Sequence, residues 1–183
     1  MKLYRDPLEF SKIVSTIKGK LCGLDLSPNR IGIALSDSRR EISLPMAVLQ
    51  NDPNRPNTRS FIPLPKDKAT LCRLRQEHIA GWVVGWPLDL QPGPSQQRRL
   101  DETLYQLEQL PMLLRMDMSN ILLHDERFST VMGRVQAAEW ADGGASVGGI
   151  DALAASVILK EFLDYASRSH TLLQSHQRQT HKQ

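Results

Sequence analysis

Two cysteines in 183 residues, Cys22 and Cys72, leave no basis for a disulfide-built scaffold. Neither has a second cysteine or a histidine at zinc-ligand spacing, so both read as reduced, structural thiols. No run of about 18 apolar residues occurs, and the first twenty positions carry Asp6 and Glu9, which leaves neither a membrane span nor a secretory signal. The default location is therefore the cytoplasm, with an organellar matrix as the other candidate. There is no internal repeat and no G-x-x-x-x-G-K-[ST] phosphate loop. Charge is nearly balanced, with 23 Lys plus Arg against 20 Asp plus Glu, a net +3 that permits a phosphate-bearing partner without demanding one. Residues 168–183 contain no acid and hold Arg168, Arg178, Lys182 and three histidines, which reads as a basic, disordered tail.

Forty per cent hydrophobic and 23% charged residues place the chain among globular proteins. At this length one core can bury roughly 70% of the unfolded surface. Phe10, Ile13, Val14 and Ile17 recur at helical spacing until Gly19, so residues 1–19 form an N-terminal helical extension. Leu21–Leu26, Arg30–Ser36 and Ile42–Leu49 read as strands, and the short links between them imply antiparallel neighbours. The segment 50–65, with Pro53, Pro56, Pro63 and Pro65, cannot continue a central strand and reads as an exposed insertion loop bearing Arg55 and Arg59.

Lys66–Glu77 is helical, and Ile79–Gly85 lacks alternation, as suits a strand covered on both faces. Ser95 caps a helix striped by Leu100, Leu104 and Leu107, which Pro111 kinks or ends. A buried run Ile121–Leu123, a helix Ser129–Ala141 and a Gly-rich loop Asp142–Gly149 precede a final helix from Asp151 to about Tyr165. Small residues at its start permit close approach to a sheet. The sum is a mixed α/β sheet over 20–167: three antiparallel strands, then parallel strands reached by crossovers.

Three acids sit where acids need a reason. Asp25 lies within Leu21–Leu26 on the face of Leu21 and Gly23, and a buried carboxylate must find donors, a cation or a proton. Alternatively it starts the turn through Ser27-Pro28-Asn29. His124-Asp125-Glu126-Arg127 ends an apolar strand, where only one of the two acids can face a cleft at the carboxyl edge, or it is a solvated charged turn. Asp151 opens the last helix, which helix-terminus electrostatics alone would explain. All three elements can end at one edge of the sheet, and carboxylates converging there suit hard divalent cations and phosphodiester cleavage.

The stretch Gly23 to Asp37 (GLDLSPNRIGIALSD) resembles the first motif of the YqgF/RuvX family of Holliday junction resolvase-like proteins. Val83-Val84-Gly85-Trp86-Pro87-Leu88 looks like that family's buried strand and Gly-x-Pro loop. Asp125-Glu126-Arg127-Phe128-Ser129-Thr130 is similar to its Asp-Glu-Arg-x-Thr-Thr block, and Ile150 to Leu159 to its closing helix. The blocks keep the family's order across about residues 20–165.

The resemblance implies an α/β, RNase H-like mixed five-stranded sheet flanked by helices. It implies a metal-dependent nuclease using Mg²⁺ or Mn²⁺, acting on precursor ribosomal RNA or branched DNA. Asp25, Glu126 and Asp151 match the family's acids as catalytic residues and metal ligands, and Arg30 and Arg127 are the candidates for contacting phosphate. Trp82 and His124 read as structural, while Trp86 could stack on a base.

The chain departs from the family where Ser27 and Pro28 replace a usual glycine turn, and where 145–149 has no basic residue. A catalytically inactive RNase H-like nucleic-acid-binding module is therefore the alternative function. The strand, polar turn, Arg30, Ile31-Gly32 pattern also resembles actin-like ATPases, but the length leaves no room for their second lobe. Monomer and homodimer both stay open.

Overall fold

The computed structural model describes residues 1–54, 61–86, 93–125 and 149–180, with side chains described through 169. The chain opens on a three-residue strand, β1 (Lys2–Tyr4), and a helix, α1 (Pro7–Ser15), whose first turn is capped by the Asp6 carboxylate accepting the Leu8 N–H at 2.8 Å. A meander follows of β2 (Lys20–Ser27), β3 (Arg30–Ser36) and β4 (Ser43–Gln50). A 3₁₀ turn at Pro65–Asp67 leads into α2 (Lys68–Gln76), β5 (Ile79–Trp86), α3 (Pro94–Leu114) and β6 (Asn120–Asp125). The last element, α4, spans Gly149–Thr180.

The six strands form one sheet in the order β1-β6-β5-β2-β3-β4. β2, β3 and β4 are antiparallel neighbours, whereas β5 and β6 run parallel to β2, and β1 runs parallel to β6. The five strands from β2 to β6 form a mixed sheet flanked by helices, as the resemblance implied. Period-two alternation divides their side chains between two cores. Cys22, Leu24, Ile31, Ile33, Trp82 and Val84 face α2 and α3. Leu21, Ala34, Val83 and Leu122 face α1 and α4, where Phe10 meets Tyr4 and Phe162 edge-on at centroid distances of 5.6 and 5.2 Å. Among the described residues no helix is long and apolar enough to cross a membrane.

Several expectations change. The N-terminal extension is not only helical: Lys2–Tyr4 adds a sixth strand, because the outer side of β6 offers an open ladder and Tyr4 brings a ring that is buried there. Gly93, not Ser95, is the N-cap residue of α3, and Pro111 does not end it. The helix continues to Leu114 because Leu107, Leu110 and Leu114 are all buried, and Arg115 in the left-handed region then stops it. The insertion is folded back at its foot: Asp52 N–H donates to Ile62 O, Leu64 N–H to Gln50 O, and the buried Asp67 carboxylate accepts Gln50 N–H at 2.9 Å.

Backbone expected to be a disordered tail is helical through Thr180, continuing α4 without a break. The expected helix Ser129–Ala141 and most of the loop Asp142–Gly149 lie outside the described residues.

Arg40 ties α1 to the meander. Its backbone is in the left-handed region at φ 60°, and its guanidinium donates to Val14 O, Ile17 O and Gly19 O at 2.6–2.9 Å, supplying the donors that the carboxyl end of α1 lacks. Arg40→Ala should lower the free energy of unfolding by about 2–3 kcal/mol, since several part-buried carbonyls lose a charged donor. Urea denaturation checks this, and Arg40→Lys should recover less than half of the loss because one ammonium cannot span three carbonyls.

Candidate active site

Asp25 sits near the carboxyl end of β2 on the α4 face, as alternation from Leu21 and Gly23 requires. Directly across the β2–β3 ladder its partner is Gly32. A Cβ added at Gly32 would lie 2.0 Å from the Asp151 carbonyl oxygen, and one at Gly23 would lie 2.5 Å from Ala155 O. The first turns of α4 therefore rest on bare strand backbone, with Ala152 and Ala155 fully buried at the contact. This places Asp151, in the first turn of α4, beside Asp25. The two acids that are 126 positions apart in sequence are brought together by two glycines and two alanines.

The electrostatics follow from that geometry. Burial pushes the Asp25 carboxyl up to about 6, the negative charge of Asp151 adds to the shift, and Arg30 works against it. Arg30 Nη1 lies 3.3 Å from Asp151 Oδ2, with the arginine side chain 57% exposed and the aspartate 21%. Its partner is thus the acid in the first turn of α4. Of five guanidinium donors, one is engaged with Asp151, and the exposed remainder can meet an incoming phosphate. Ser27 fixes the turn from which Arg30 departs: its hydroxyl donates to Arg30 O at 2.9 Å and accepts Arg30 N–H at 3.2 Å. The residue that departs from the family's glycine is thus a clamp on the hairpin.

Glu126 and Arg127, the other two candidates, lie outside the described residues. β6 leads up to them with Leu122 and His124 on the α4 side, and His124 Nε2 is 3.1 Å from Glu161 Oε2 of α4. Trp82 is core, donating its indole N–H to Asp117 O at 3.2 Å, and Trp86 is buried as well, which removes it as a base-stacking surface. Cys22 is buried and its thiol is pushed well above the usual range by desolvation, whereas Cys72 is exposed; neither is in a disulfide.

Two carboxylates that repel each other at a half-buried edge supply hard oxygen donors suited to Mg²⁺ or Mn²⁺, and a cation there would take the place of the proton that Asp25 holds up to about pH 6. The donor set therefore fits such an ion. Among the described residues no group of three His, Cys, Asp or Glu side chains is close enough to hold a metal. At 1.5 Å per residue, α4 carries Arg168 about 26 Å and Thr180 about 44 Å from Asp151 along its axis.

Comparison with known proteins gives the family. The family model described as RuvX: Holliday junction resolvase matches residues 19–165. A protein of Ehrlichia canis (strain Jake), named "Putative pre-16S rRNA nuclease", is 32% identical over 164 residues, covering 88% of this chain and 95% of its own length. A protein of the same name from Pelagibacter ubique (strain HTCC1062) is 30% identical over 164 residues, covering 86% and 96%. Among solved structures, T. thermophilus RuvC in complex with Holliday junction substrate aligns with 76% of this chain and 91% of that one, at 11% identity and a TM-score of 0.40. The family and the names of these relatives make this chain a nuclease, a hydrolase acting on phosphodiester bonds. The chain belongs to the RuvX (YqgF) family of Holliday junction resolvase-like nucleases.

Two predictions follow from the packing and the charge. Gly32→Ala should cost about 2–4 kcal/mol, because the new methyl group meets helix backbone and not a flexible side-chain end; thermal melting reads this directly. Asp25→Asn should act in the opposite direction. The folded carboxyl titrates near 6 and its unfolded counterpart near 3.8, so ionising Asp25 costs stability progressively from pH 4 to 6 and fully above that. In EDTA the variant should be more stable than the parent by ~1–3 kcal/mol at pH 7.5, and about equal to it at pH 4 and below. Equal urea midpoints at pH 7.5 would contradict this.

Proposed function

We propose that this chain is a metal-dependent nuclease that hydrolyses a phosphodiester bond in structured nucleic acid. Asp25, Glu126 and Asp151 act as its metal ligands. Arg30 and Arg127 contact the phosphate. The observation that supports this most is the enforced pairing of Asp25 with Asp151 under the first turn of α4, with Arg30 bridging outward from the same edge. A structural role does not explain it, because bringing two acids together at a half-buried site lowers stability.

Each residue of the chain has a definable part. Asp25 and Asp151 present carboxylate oxygens from a rigid strand and a rigid helix, so their spacing is preset by backbone contact. When bound, Mg²⁺ or Mn²⁺ supplies an activated water and neutralises charge on the leaving oxygen. Arg30 orients the phosphate through its free donors and offsets negative charge in the absence of substrate. Glu126 follows His124 by two positions, so continued strand alternation is what this reading requires of it.

The names of the relatives favour precursor 16S ribosomal RNA, for which we infer processing at the 5′ end, and the family description favours four-way DNA junctions. Within the cytoplasm, the first would make this an enzyme of ribosome biogenesis. Purified protein with Mg²⁺ or Mn²⁺ should cleave one of these substrates. Asp25→Asn and Asp151→Asn should each lower the single-turnover rate by at least about 100-fold, and Arg30→Ala by about 10-fold. Gel analysis of 5′-labelled precursor RNA and of a four-way junction checks this. Undiminished cleavage by Asp25→Asn would reject the assignment.

A further inference from the structure

A groove of about 1120 Å³ opens on the α3 side of the β2–β3 turn, between that turn, the foot of the insertion and the N-terminal half of α3. Small-molecule pockets run roughly 300–1,000 Å³, so this one suits an extended ligand better than a single metabolite. Among the described residues that line it, amides and a phenol ring, Asn29, Gln50, Gln106 and Tyr105, outnumber the cations Arg30 and Arg98.

The carboxylates along the groove are already engaged. Asp101 accepts from Gln97 Nε2 at 2.8 Å, Glu102 from Arg98 Nε at 3.0 Å, and Asp52 from Asn54 at 2.9 and 3.1 Å. Tracking a phosphate backbone calls for a run of cations, and acids here would oppose it. Unpaired bases call for an aromatic face and for amide donors and acceptors at their edges. Half-buried Tyr105 supplies the first, and the Asn29 amide and the Gln50 Nε2 donor the second, the Gln50 oxygen accepting from Lys66 Nζ at 2.9 Å.

The groove is physically joined to the acidic edge. Arg30 lines it while also meeting Asp151 at 3.3 Å. Gln106 Nε2 donates to Ser27 O at 2.7 Å, which fixes the turn carrying Arg30 against α3. A strand lying in the groove would therefore deliver a phosphate to Arg30 and the carboxylate pair.

We infer that this groove binds the unpaired strand flanking the scissile phosphate, with a base stacked on Tyr105 and base edges met by Asn29 and Gln50. The inference rests on the nuclease reading and narrows it: the preferred substrate is a duplex with a single-stranded extension, not a continuously paired one.

The test is fluorescence anisotropy in EDTA, which removes cleavage from the readout, using a labelled single-stranded RNA 12-mer and a blunt duplex of the same sequence. The full chain should bind the single strand more tightly. Tyr105→Ala should weaken that binding about ten-fold or more while leaving duplex binding unchanged, and Tyr105→Phe should retain it. Should Tyr105→Ala fail to fold, photocrosslinking of a 4-thiouridine oligomer to the parent protein decides instead, with label expected on the α3 segment that contains Tyr105. Equal single-strand affinity of a folded Tyr105→Ala, tighter binding of the blunt duplex, or crosslinks confined to other elements would overturn the inference. Cleavage by the parent with Mg²⁺ is assayed in parallel, so single-strand binding without cleavage overturns the nuclease reading and not the groove, and the two register separately.

Discussion

The contact of α4 with the bare backbone of β2 and β3 is the constraint on which the site depends. Helices ordinarily stand off a sheet by the length of the side chains between them. Here Gly23 and Gly32 remove those side chains from the strands, while Ala152 and Ala155 shorten them on the helix. The helix start descends onto the sheet exactly one ladder position across from Asp25. Close packing thereby does electrostatic work, because it holds two carboxylates together against their repulsion and leaves one of them protonated up to about pH 6.

Part of this is legible in the sequence. An acid inside an apolar strand marks Asp25, and period-two alternation gives its face without any structure. Small residues early in the last helix announce close approach, and Gly32 inside a strand pattern is the matching signal on the sheet. The register that sets Gly32 opposite Asp25 is not legible, since it depends on where the Pro28-Asn29 turn closes the hairpin. Ser27 settles that closure through a hydroxyl held to Arg30 on both its carbonyl and its amide.

Other differences have the same origin in tertiary context. Lys2–Tyr4 is too short to carry a pattern and becomes a strand only because β6 leaves a ladder open. Pro111 weakens a helix locally, yet three buried leucines around it outweigh the missing amide. The Pro-rich insertion reads as loop because proline cannot serve a central ladder, but its flanks pair with each other and build one wall of a groove beside Arg30. Net charge is the least informative feature, because a +3 total does not show the pairing of Asp25 with Asp151 at one edge of the sheet.

The central claim is that Asp25 and Asp151 form one coupled pair, and the carboxyl titration of Asp25 measures it. In ¹³C-detected NMR of the metal-free protein, Asp25 should titrate near 6 and shift downward in Asp151→Asn as the neighbouring charge is removed. An Asp25 that titrates near 4 and ignores the substitution at Asp151 would contradict the account.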